Sequence, residues 1–238
     1  MWVQWEPSYA AGYQRSSSRL ANEGITKPKP LVELQGVPII ERLIRIFARN
    51  GASSINIITN SQQPETVEFL KGIDVGCDIN LVIKNTPSSM HSMHALSGLL
   101  RGGKFCLTTV DTLFHEEDFS RYIKELEEYE GDGIMAVTDF IDDEKPLYVA
   151  TDCEMNITAF HDTPTSDTRF VSGGIYGLSP KALEILDQCM NDGVHRMRNF
   201  QRRLVENGMK LKAFPMGKII DIDHAEDIIK AEKFLSER

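Results

Sequence analysis

Residues 27–44 read Lys27-Pro28-Lys29-Pro30-Leu31-Val32-Glu33-Leu34-Gln35-Gly36-Val37-Pro38-Ile39-Ile40-Glu41-Arg42-Leu43-Ile44. Each proline fixes its own φ and pushes the residue before it toward an extended conformation, so the two lysines lie on a stiff segment. A helix is predicted after Gly36, because Pro38 suits a first helical turn and apolar residues repeat at helical spacing from Ile39 to Phe47. Gly51 is expected to end that helix.

From residue 52 onward the pattern alternates between strands and helices. The predicted strands are Ile55–Thr59, Ile79–Lys84, Phe105–Val110 and Ile134–Val137, with helices Pro64–Lys71, Met90–Leu100 and Glu117–Glu128 between them. Such alternation is typical of parallel strands with helices on both faces. The two lysines then lie beside the first crossover of an α/β sheet, a place where such folds bind phosphates.

The second half of the chain has shorter strands. The predicted elements are strands Leu147–Thr151, Asn156–Phe160 and Phe170–Leu178, helices Pro180–Met190 and Met197–Asn207, strands near Leu211–Phe214 and Ile219–Ile222, and a closing helix Ala225–Leu235. We expect residues 1–238 to form a single Rossmann-like, three-layer α/β/α domain with a mixed, mostly parallel central sheet. The second half of this domain is expected to cover the open, ligand-binding edge of the first half.

Length and composition agree with one large α/β domain, since 238 residues with 41% hydrophobic content can bury a substantial core. The formal net charge of -9 argues against non-specific binding to nucleic acid or to an anionic membrane. Residues 1–49, however, carry seven Lys or Arg against four Glu. A local phosphate site fits this distribution.

The cysteines predict no metal or redox motif. Cys77, Cys106, Cys153 and Cys189 are far apart and form no Cys-x-x-Cys pair. We expect reduced thiols. The sequence has no long apolar run of membrane-span length and no signal-peptide layout at its start, so we expect a soluble cytoplasmic protein.

Residues 10–42 resemble the signature of the sugar-phosphate and phosphocholine nucleotidyltransferases. That signature runs roughly A-A-G-x-G-x-R-L, a spacer, then K-P-K-P-L-V-x-x-x-G-x-P-I-[IL]-x-R, and Ala10-Ala11-Gly12, Arg19-Leu20 and Lys27 to Arg42 match it. The resemblance implies that Ala11, Gly12 and Lys27 contact a nucleotide. The loop after Gly12 departs from the pattern, because it is longer and lacks the second glycine that lets the backbone approach a triphosphate.

Asp111 follows the apolar run that begins at Phe105, and a lone acid at the carboxyl end of a strand faces the ligand crevice of an open α/β sheet. The stretch resembles the family's L-x-x-G-D-T-L-F, whose aspartate holds Mg²⁺, although Val110 replaces the glycine. The alternative is that Asp111 caps the helix beginning near His115.

A second acid is expected, because Mg²⁺ usually takes one or two carboxylates together with phosphate and water. The run from Ile219 to Asp227 resembles the family ending D-I-D-x-P-E-D, which assigns Asp223 as the second metal ligand. Asp221 is the alternative candidate for this second metal ligand, since Asp221 and Asp223 share one face of a strand.

The segment from Asn85 to Leu96 is similar to the family's N-x-x-x-x-T-N-x-x-S-L-x-x-A segment, which borders the base and ribose. Asn85, Ser88 and Ser89 therefore become candidates for hydrogen bonds to the nucleotide. His91 and His94 lie on the same stretch, but zinc would need a third nearby ligand.

The glycines of Val171–Pro180 resemble the family's N-x-G-I-Y-x-x-S-P strand, which implies that Gly173 and Gly174 contact the acceptor. The same glycines also fit a β-bulge, and the two readings are compatible. Upstream, Thr163 stands where many sugar-1-phosphate members carry a lysine. The identity of the acceptor is therefore left open.

The resemblance implies a nucleotidyltransferase that joins a nucleoside triphosphate to a small phosphomonoester and releases pyrophosphate. Lys29 would contact the triphosphate or the transferring group, Arg19 would neutralise pyrophosphate, and Asp111 and Asp223 would hold Mg²⁺. Residues 1–140 would be the nucleotide-binding half. Residues 141–238 would supply the acceptor-binding half and the closing helix, as in nucleotide-diphospho-sugar transferases.

Two other functions remain open. A nucleotide-sugar glycosyltransferase shares the sheet but normally shows D-x-D at the central strand, where this chain has only Asp111. A degenerate, non-catalytic nucleotide sensor or scaffold would explain the lost glycine and Thr163. The base, the acceptor and whether the chain forms a homo-oligomer are not determined by the sequence.

Overall fold

The computed structural model of the protein describes residues 17–142 and 144–237. Ala11 and Gly12, which were predicted to contact the nucleotide, lie outside the described residues. The helices are α1 Ser17–Asn22, α2 Ile39–Arg49, α3 Pro64–Gly72, α4 Ser89–Leu96, α5 Glu116–Glu128, α6 Lys181–Asn191, α7 Met197–Glu206 and α8 Ala225–Ser236. Lys29–Leu31 forms a short 3₁₀ turn.

The strands alternate with these helices in the first half and cluster in the second. They are β1 Glu33–Leu34, β2 Val37–Pro38, β3 Ser54–Thr59, β4 Asp78–Ile83, β5 Phe105–Leu107, β6 Thr112–Leu113, β7 Gly133–Thr138, β8 Tyr148–Thr151, β9 Ile157–His161, β10 Thr168–Leu178, β11 Leu211–Pro215 and β12 Ile220–Asp221.

The central sheet is mixed, as predicted, but among the described strands its one parallel pairing is β7 with β11. Its order is β11-β7-β10-β8-β9, and β5 also pairs with β10. The long strand β10 runs antiparallel to β5, β7 and β8, whereas β11 is parallel to β7. Strands β5, β7, β8 and β11 therefore share one direction, and β3 and β4 form a separate parallel pair.

Helices cover both faces of the sheet. Strand β7 shows this directly: Ile134 and Ala136 pack into a core with α2, α5 and α8, whereas Met135 and Val137 pack into a second core with α4, α6 and α7. Alternate residues of a strand point to opposite faces, so the two cores are the two sides of one sheet. The predicted α/β class is confirmed.

The strand predicted as Phe105–Val110 ends earlier than expected, at Leu107. The chain then turns, with the Thr112 amide donating to the Thr109 carbonyl. It re-enters an extended conformation as β6, which pairs antiparallel with β12 and places Thr112 opposite Asp221. The sequence predicted a strand near Ile219–Ile222, where β12 lies. It did not indicate β6 or the pairing of the two, because a two-residue strand carries no hydrophobic period.

Within the described part of the chain, no helix has both the length and the apolar character needed to cross a bilayer.

Candidate active site

The β6–β12 ribbon brings two distant aspartates to one place. Asp111 lies in the turn just before β6, and its carbonyl accepts a hydrogen bond from the Ile222 amide at 3.1 Å. Asp223 follows directly after this contact. Carboxylates 112 residues apart in sequence therefore face the same crevice because the backbone of one segment is hydrogen-bonded to the other.

The ammonium of Lys29 lies between these two carboxylates. Its Nζ is 2.5 Å from Asp111 Oδ2 and 2.7 Å from Asp223 Oδ1. The Lys29 side chain is fully buried, whereas Asp111 and Asp223 are 20% and 39% exposed. Lys29 thus lies at the bottom of the site, and the two carboxylates separate its ammonium from solvent.

Lys29 stays protonated in this setting. Burial by itself lowers the pKa of the ammonium, but the charge and hydrogen bond of Asp111, followed by those of Asp223, hold the pKa above its ordinary value. The stiff turn Lys29–Leu31, flanked by Pro28, fixes the start of the side chain. The site therefore holds a permanent positive charge in a defined position.

Asp221 is a third carboxylate at the same place. Its side chain is accessible through a cavity but surrounded by protein elsewhere, and this desolvation, reinforced by the charges of Asp111 and Asp223, raises the pKa of Asp221 to about 7. A hydrogen bond with Thr112 and the positive charge of Lys29 lower the pKa of Asp221 and so offset part of this rise. Three acids thus lie around one buried ammonium, and Asp221 is the one whose proton is exchanged near neutral pH.

Asp221 and Asp223 line a cavity of about 800 Å³, whereas Asp111 and Lys29 lie next to them and outside the cavity lining. This volume lies within the roughly 300–1,000 Å³ typical of small-molecule sites. Its walls come from β7, the loop after it, β10 and the start of α8, together with α1. The lining residues are Arg19, Glu23, Thr138, Phe140, Asp142, Glu144, Lys145, Pro146, Val171, Ser172, Gly173, Ile219, Asp221, Asp223, His224, Ala225, Glu226, Asp227 and Lys230.

Helix α1 is tied to the start of α8 at the cavity rim. Glu23 receives hydrogen bonds from the Ala225 amide at 2.6 Å, and its other oxygen is 2.7 Å from His224 Nδ1. The hydrogen bonds from His224 and Ala225 lower the pKa of Glu23. Arg19, on the same helix, is half exposed and lies 3.7 Å from Asp223 Oδ2. These two contacts of Glu23, which we call the Glu23 clamp, therefore hold Arg19 beside the carboxylates.

The predicted bulge in β10 forms part of the cavity wall. The register of β10 against β7 shifts between Ser172 and Tyr176, and Gly174 has φ +75°. Gly173 lines the cavity, and a Cβ placed on it would lie 2.4 Å from Ile219 Cδ1 and 3.2 Å from the Ala136 carbonyl oxygen. Gly173 thus allows a close approach between β10, β7 and the segment before β12.

We expect Gly173→Ala to lower the free energy of unfolding by about 1–3 kcal/mol, because the methyl group overpacks this contact. Urea denaturation measures the change. Gly98→Ala is the control, since a Cβ at Gly98 meets no atom within 4 Å. Equal stability of the two variants would contradict this account of Gly173.

Other predicted nucleotide-binding residues lie outside the cavity lining. Lys27 is on the surface and pairs with Glu33 at 2.5 Å. Asn85 Oδ1 accepts from the Ser61 amide at 3.1 Å, and Ser88 caps α4, of which Ser89 is the first residue. Their roles toward a nucleotide stay predictions.

The histidines on α4 have neighbours of their own. His94 is 3.3 Å from Asp187, and the His91 ring stacks on His195 at 5.5 Å. Among residues 17–142 and 144–237, no group of three or more His, Cys, Asp or Glu side chains has the arrangement of an all-protein metal site.

The sequence did not indicate several cavity residues. Glu23 and His224 meet across 201 residues, and Lys230 bonds Asp142 and Asp227. The only local signal was the helical i, i+3 spacing of Asp227 and Lys230. Contacts between distant surface side chains have no pattern that a single sequence reveals.

Known proteins resemble this chain in sequence and in fold. The sequence model of the family described as nucleotidyl transferase matches residues 16–238. The bifunctional IPC transferase and DIPP synthase of Thermococcus kodakarensis is 31% identical over 101 residues, which are 41% of this chain and 23% of that protein. The match therefore spans less than a quarter of the relative's length.

Two solved structures share the fold. The inositol-1-phosphate CTP transferase from T. maritima superposes with a TM-score of 0.76 at 16% identity, covering 96% of each chain. A putative glucose-1-phosphate thymidylyltransferase from Bacillus anthracis, in complex with a sucrose, gives a TM-score of 0.83 at 17% identity, covering 98% of this chain and 96% of that one. At these identities the likeness concerns the fold.

Proposed function

Because this chain belongs to the nucleotidyl transferase family, whose model spans residues 16–238, we propose that it transfers a nucleoside monophosphate from a nucleoside triphosphate to a phosphomonoester and releases pyrophosphate. The family resemblance found in the sequence is confirmed. One observation carries the proposal for this chain: Lys29 meets Asp111 and Asp223, which lie 82 and 194 residues away, beside a cavity of ligand size.

The reaction needs alignment and charge neutralisation more than covalent chemistry. A phosphate oxygen of the acceptor attacks the α-phosphorus in line, the bond to the β-phosphate oxygen breaks, and pyrophosphate leaves with the electron pair. Two anions must be brought together for this attack, so preorganised positive charge lowers the barrier. Lys29 supplies that charge at the base of the site, and Arg19 supplies a second one at the rim, where pyrophosphate leaves.

The carboxylates fit a magnesium ion. Mg²⁺ prefers oxygen ligands and usually binds through one or two carboxylates plus substrate phosphate and water. Asp111 and Asp223 offer such oxygens, and the three acids of the site outnumber the buried ammonium. Asp111 and Asp223 would hold the ion, with Asp221 beside them. When bound, Mg²⁺ supplies positive charge that offsets the phosphate negative charge.

Asp223→Asn is expected to weaken binding of Mn²⁺, used as the probe for Mg²⁺, at least tenfold, because one charged oxygen ligand becomes a neutral amide. Isothermal titration calorimetry in the presence of a non-hydrolysable triphosphate measures this affinity. Asp187→Asn, on α6 and away from the cavity, is the control. Unchanged Mn²⁺ affinity in Asp223→Asn would remove Asp223 from the metal site.

The two halves of the chain have different proposed tasks. Residues up to 140 would bind the nucleotide, with Asn85, Ser88 and Ser89 near the base and Ala11, Gly12 and Lys27 near the phosphates. The later residues would bind the acceptor, because most of the cavity wall, including Gly173, comes from them. Gly174 supports the bulge that shapes this wall.

A screen tests the function and narrows the substrates. Each of the four common nucleoside triphosphates is tested with Mg²⁺ for a thermal shift, and those that bind are then assayed for pyrophosphate release. The acceptor panel is inositol 1-phosphate, glucose 1-phosphate and phosphocholine. We expect release to require both substrates, and EDTA to abolish it. Release without acceptor would indicate hydrolysis in place of transfer.

A further inference from the structure

Gln201 is a buried polar residue directly behind the cavity wall. It lies on α7, is 3% exposed and is surrounded by the core that includes Phe200 and Leu204. Burying an amide costs free energy unless its polar atoms are hydrogen-bonded. Its partners are Ser172, whose Oγ donates to Gln201 Oε1 at 3.2 Å, and Tyr176, whose hydroxyl accepts from Gln201 Nε2 at 3.3 Å.

The same face of α7 holds other parts of this wall. Arg198 donates from Nη2 to the Lys145 carbonyl at 2.9 Å and pairs with Asp162 at 2.6 Å, while Arg202 donates to the Phe160 carbonyl at 3.2 Å. Positions 198, 201 and 202 have the i, i+3, i+4 spacing of one helix face. Lys145 and Ser172 both line the cavity, so α7 supports the acceptor side from behind.

The hydrogen bond between Ser172 Oγ and Gln201 Oε1 constrains the side chain of Ser172, not its backbone. The backbone of Ser172 is already held, because its amide donates to the Leu147 carbonyl at 2.8 Å and it is paired with Val137 in the sheet. What the amide of Gln201 adds is a fixed orientation for the hydroxyl. Ser172 lines the cavity, and its hydroxyl contacts Tyr176 as well as Gln201. With its proton given to Gln201, the Ser172 oxygen has a lone pair left to accept a hydrogen bond from a ligand donor.

We propose that Gln201 is a positioning residue for the acceptor, because it fixes the Ser172 hydroxyl to accept a hydrogen bond from a hydroxyl group of a polyol phosphomonoester. This rests on the proposed function for the identity of the ligand. The Tyr176 hydroxyl holds the other end of the Gln201 amide, because it accepts the hydrogen bond from Gln201 Nε2. Burial raises the pKa of Tyr176 to about 12, so the hydroxyl stays neutral at all working pH values.

The test measures binding of inositol 1-phosphate directly by calorimetry, with KM values alongside. Gln201→Met keeps the volume and removes both hydrogen bonds, and Ser172→Ala removes the hydroxyl itself. We expect each variant to weaken acceptor binding three- to tenfold, the range for one neutral hydrogen bond, while the KM for the nucleotide stays within twofold. Gln201→Glu, which keeps an oxygen facing Ser172, is expected to recover part of the loss.

The double variant separates positioning from a general structural role. If Gln201 acts through Ser172, then Gln201→Met has no further effect on acceptor affinity in the Ser172→Ala background. Gln188→Met, an exposed change on the neighbouring helix α6, is the control. An undiminished effect in the double variant, an equal rise in nucleotide KM, or wild-type affinity in Gln201→Met would overturn the proposal.

Failure of the proposed function gives a different pattern. Calorimetry detects acceptor binding even without turnover, so a wild-type protein that binds inositol 1-phosphate but releases no pyrophosphate refutes the enzyme activity and still tests Gln201. A wild-type protein that does not bind this probe contradicts the proposed acceptor contact outright.

Discussion

Lys29→Met lowers the rate of pyrophosphate release by a hundredfold or more, the scale on which removing one preorganised charge contact slows an enzyme. The side chain keeps a similar length and fills the same buried space, so the variant chiefly removes the charge. The loss follows because Lys29 Nζ bonds both Asp111 and Asp223, so the variant removes the positive charge that lies between them. Single-turnover measurements with saturating substrates give the chemical step.

The stability of this variant is expected to fall as well. Removing the ammonium leaves Asp111, Asp223 and Asp221 facing one another, and like charges in a partly buried site repel. A lower urea midpoint reports this effect. Lys71→Met is the control, because Lys71 lies on the surface of α3, pairs there with Glu68 and has no part in the site. Equal rates for the two lysine variants would contradict the assignment of Lys29.

Asp111→Asn is expected to reduce the rate by a similar factor, a hundredfold or more. The substitution preserves shape and removes the negative charge that Lys29 and a magnesium ion would share. The carbonyl of Asp111 still accepts from Ile222, so the β6–β12 ribbon is retained. Rates measured over a range of Mg²⁺ concentrations show whether excess metal restores activity.

Asp187→Asn again serves as the control for this change, because Asp187 lies on α6 and bonds His94 and Arg101. A rate for Asp111→Asn close to that of Asp187→Asn would mean that Asp111 only supports the turn before β6. The helix-cap alternative from the sequence is not what the structure shows, because His115 is the N-cap of α5 and no side chain of the described residues caps that helix.

Much of the fold was predictable because it depends on local periodicity. Helix α2 begins and ends where Pro38 and Gly51 indicated, and β3 and β4 follow from their apolar runs. The meeting of Asp111 and Asp223 beside Lys29 was predictable in outline, since acids at strand ends gather at one edge of a sheet.

The parts that escaped prediction depend on contacts between distant residues. Strand β6 forms because it pairs with the predicted strand β12, and its own two residues have no apolar period. The Glu23 clamp joins α1 to α8 through one side chain, and the network of Gln201 joins α7 to β10. Each residue resembles an ordinary surface or helix residue until the fold brings its partner close.

The position of Lys29 is a further case. The stiff proline segment predicted a fixed ammonium, but it did not predict complete burial behind two carboxylates. That burial results from the tertiary packing of the turn Lys29–Leu31, whose three residues are all buried. The ammonium therefore lies within the site and not on an exposed loop, and we propose that it acts on the substrate from there.

The most direct test of the central claim is ³¹P nuclear magnetic resonance of the wild-type protein with Mg²⁺, a triphosphate that it binds and the three acceptors. The convergence of Lys29, Asp111 and Asp223 predicts that the signals of a diphosphate diester, in which a P–O–P bond joins acceptor and nucleotide, and of pyrophosphate rise together in equal amounts. Nucleotide binding with no such product across the panel would contradict it, and would indicate a non-catalytic sensor.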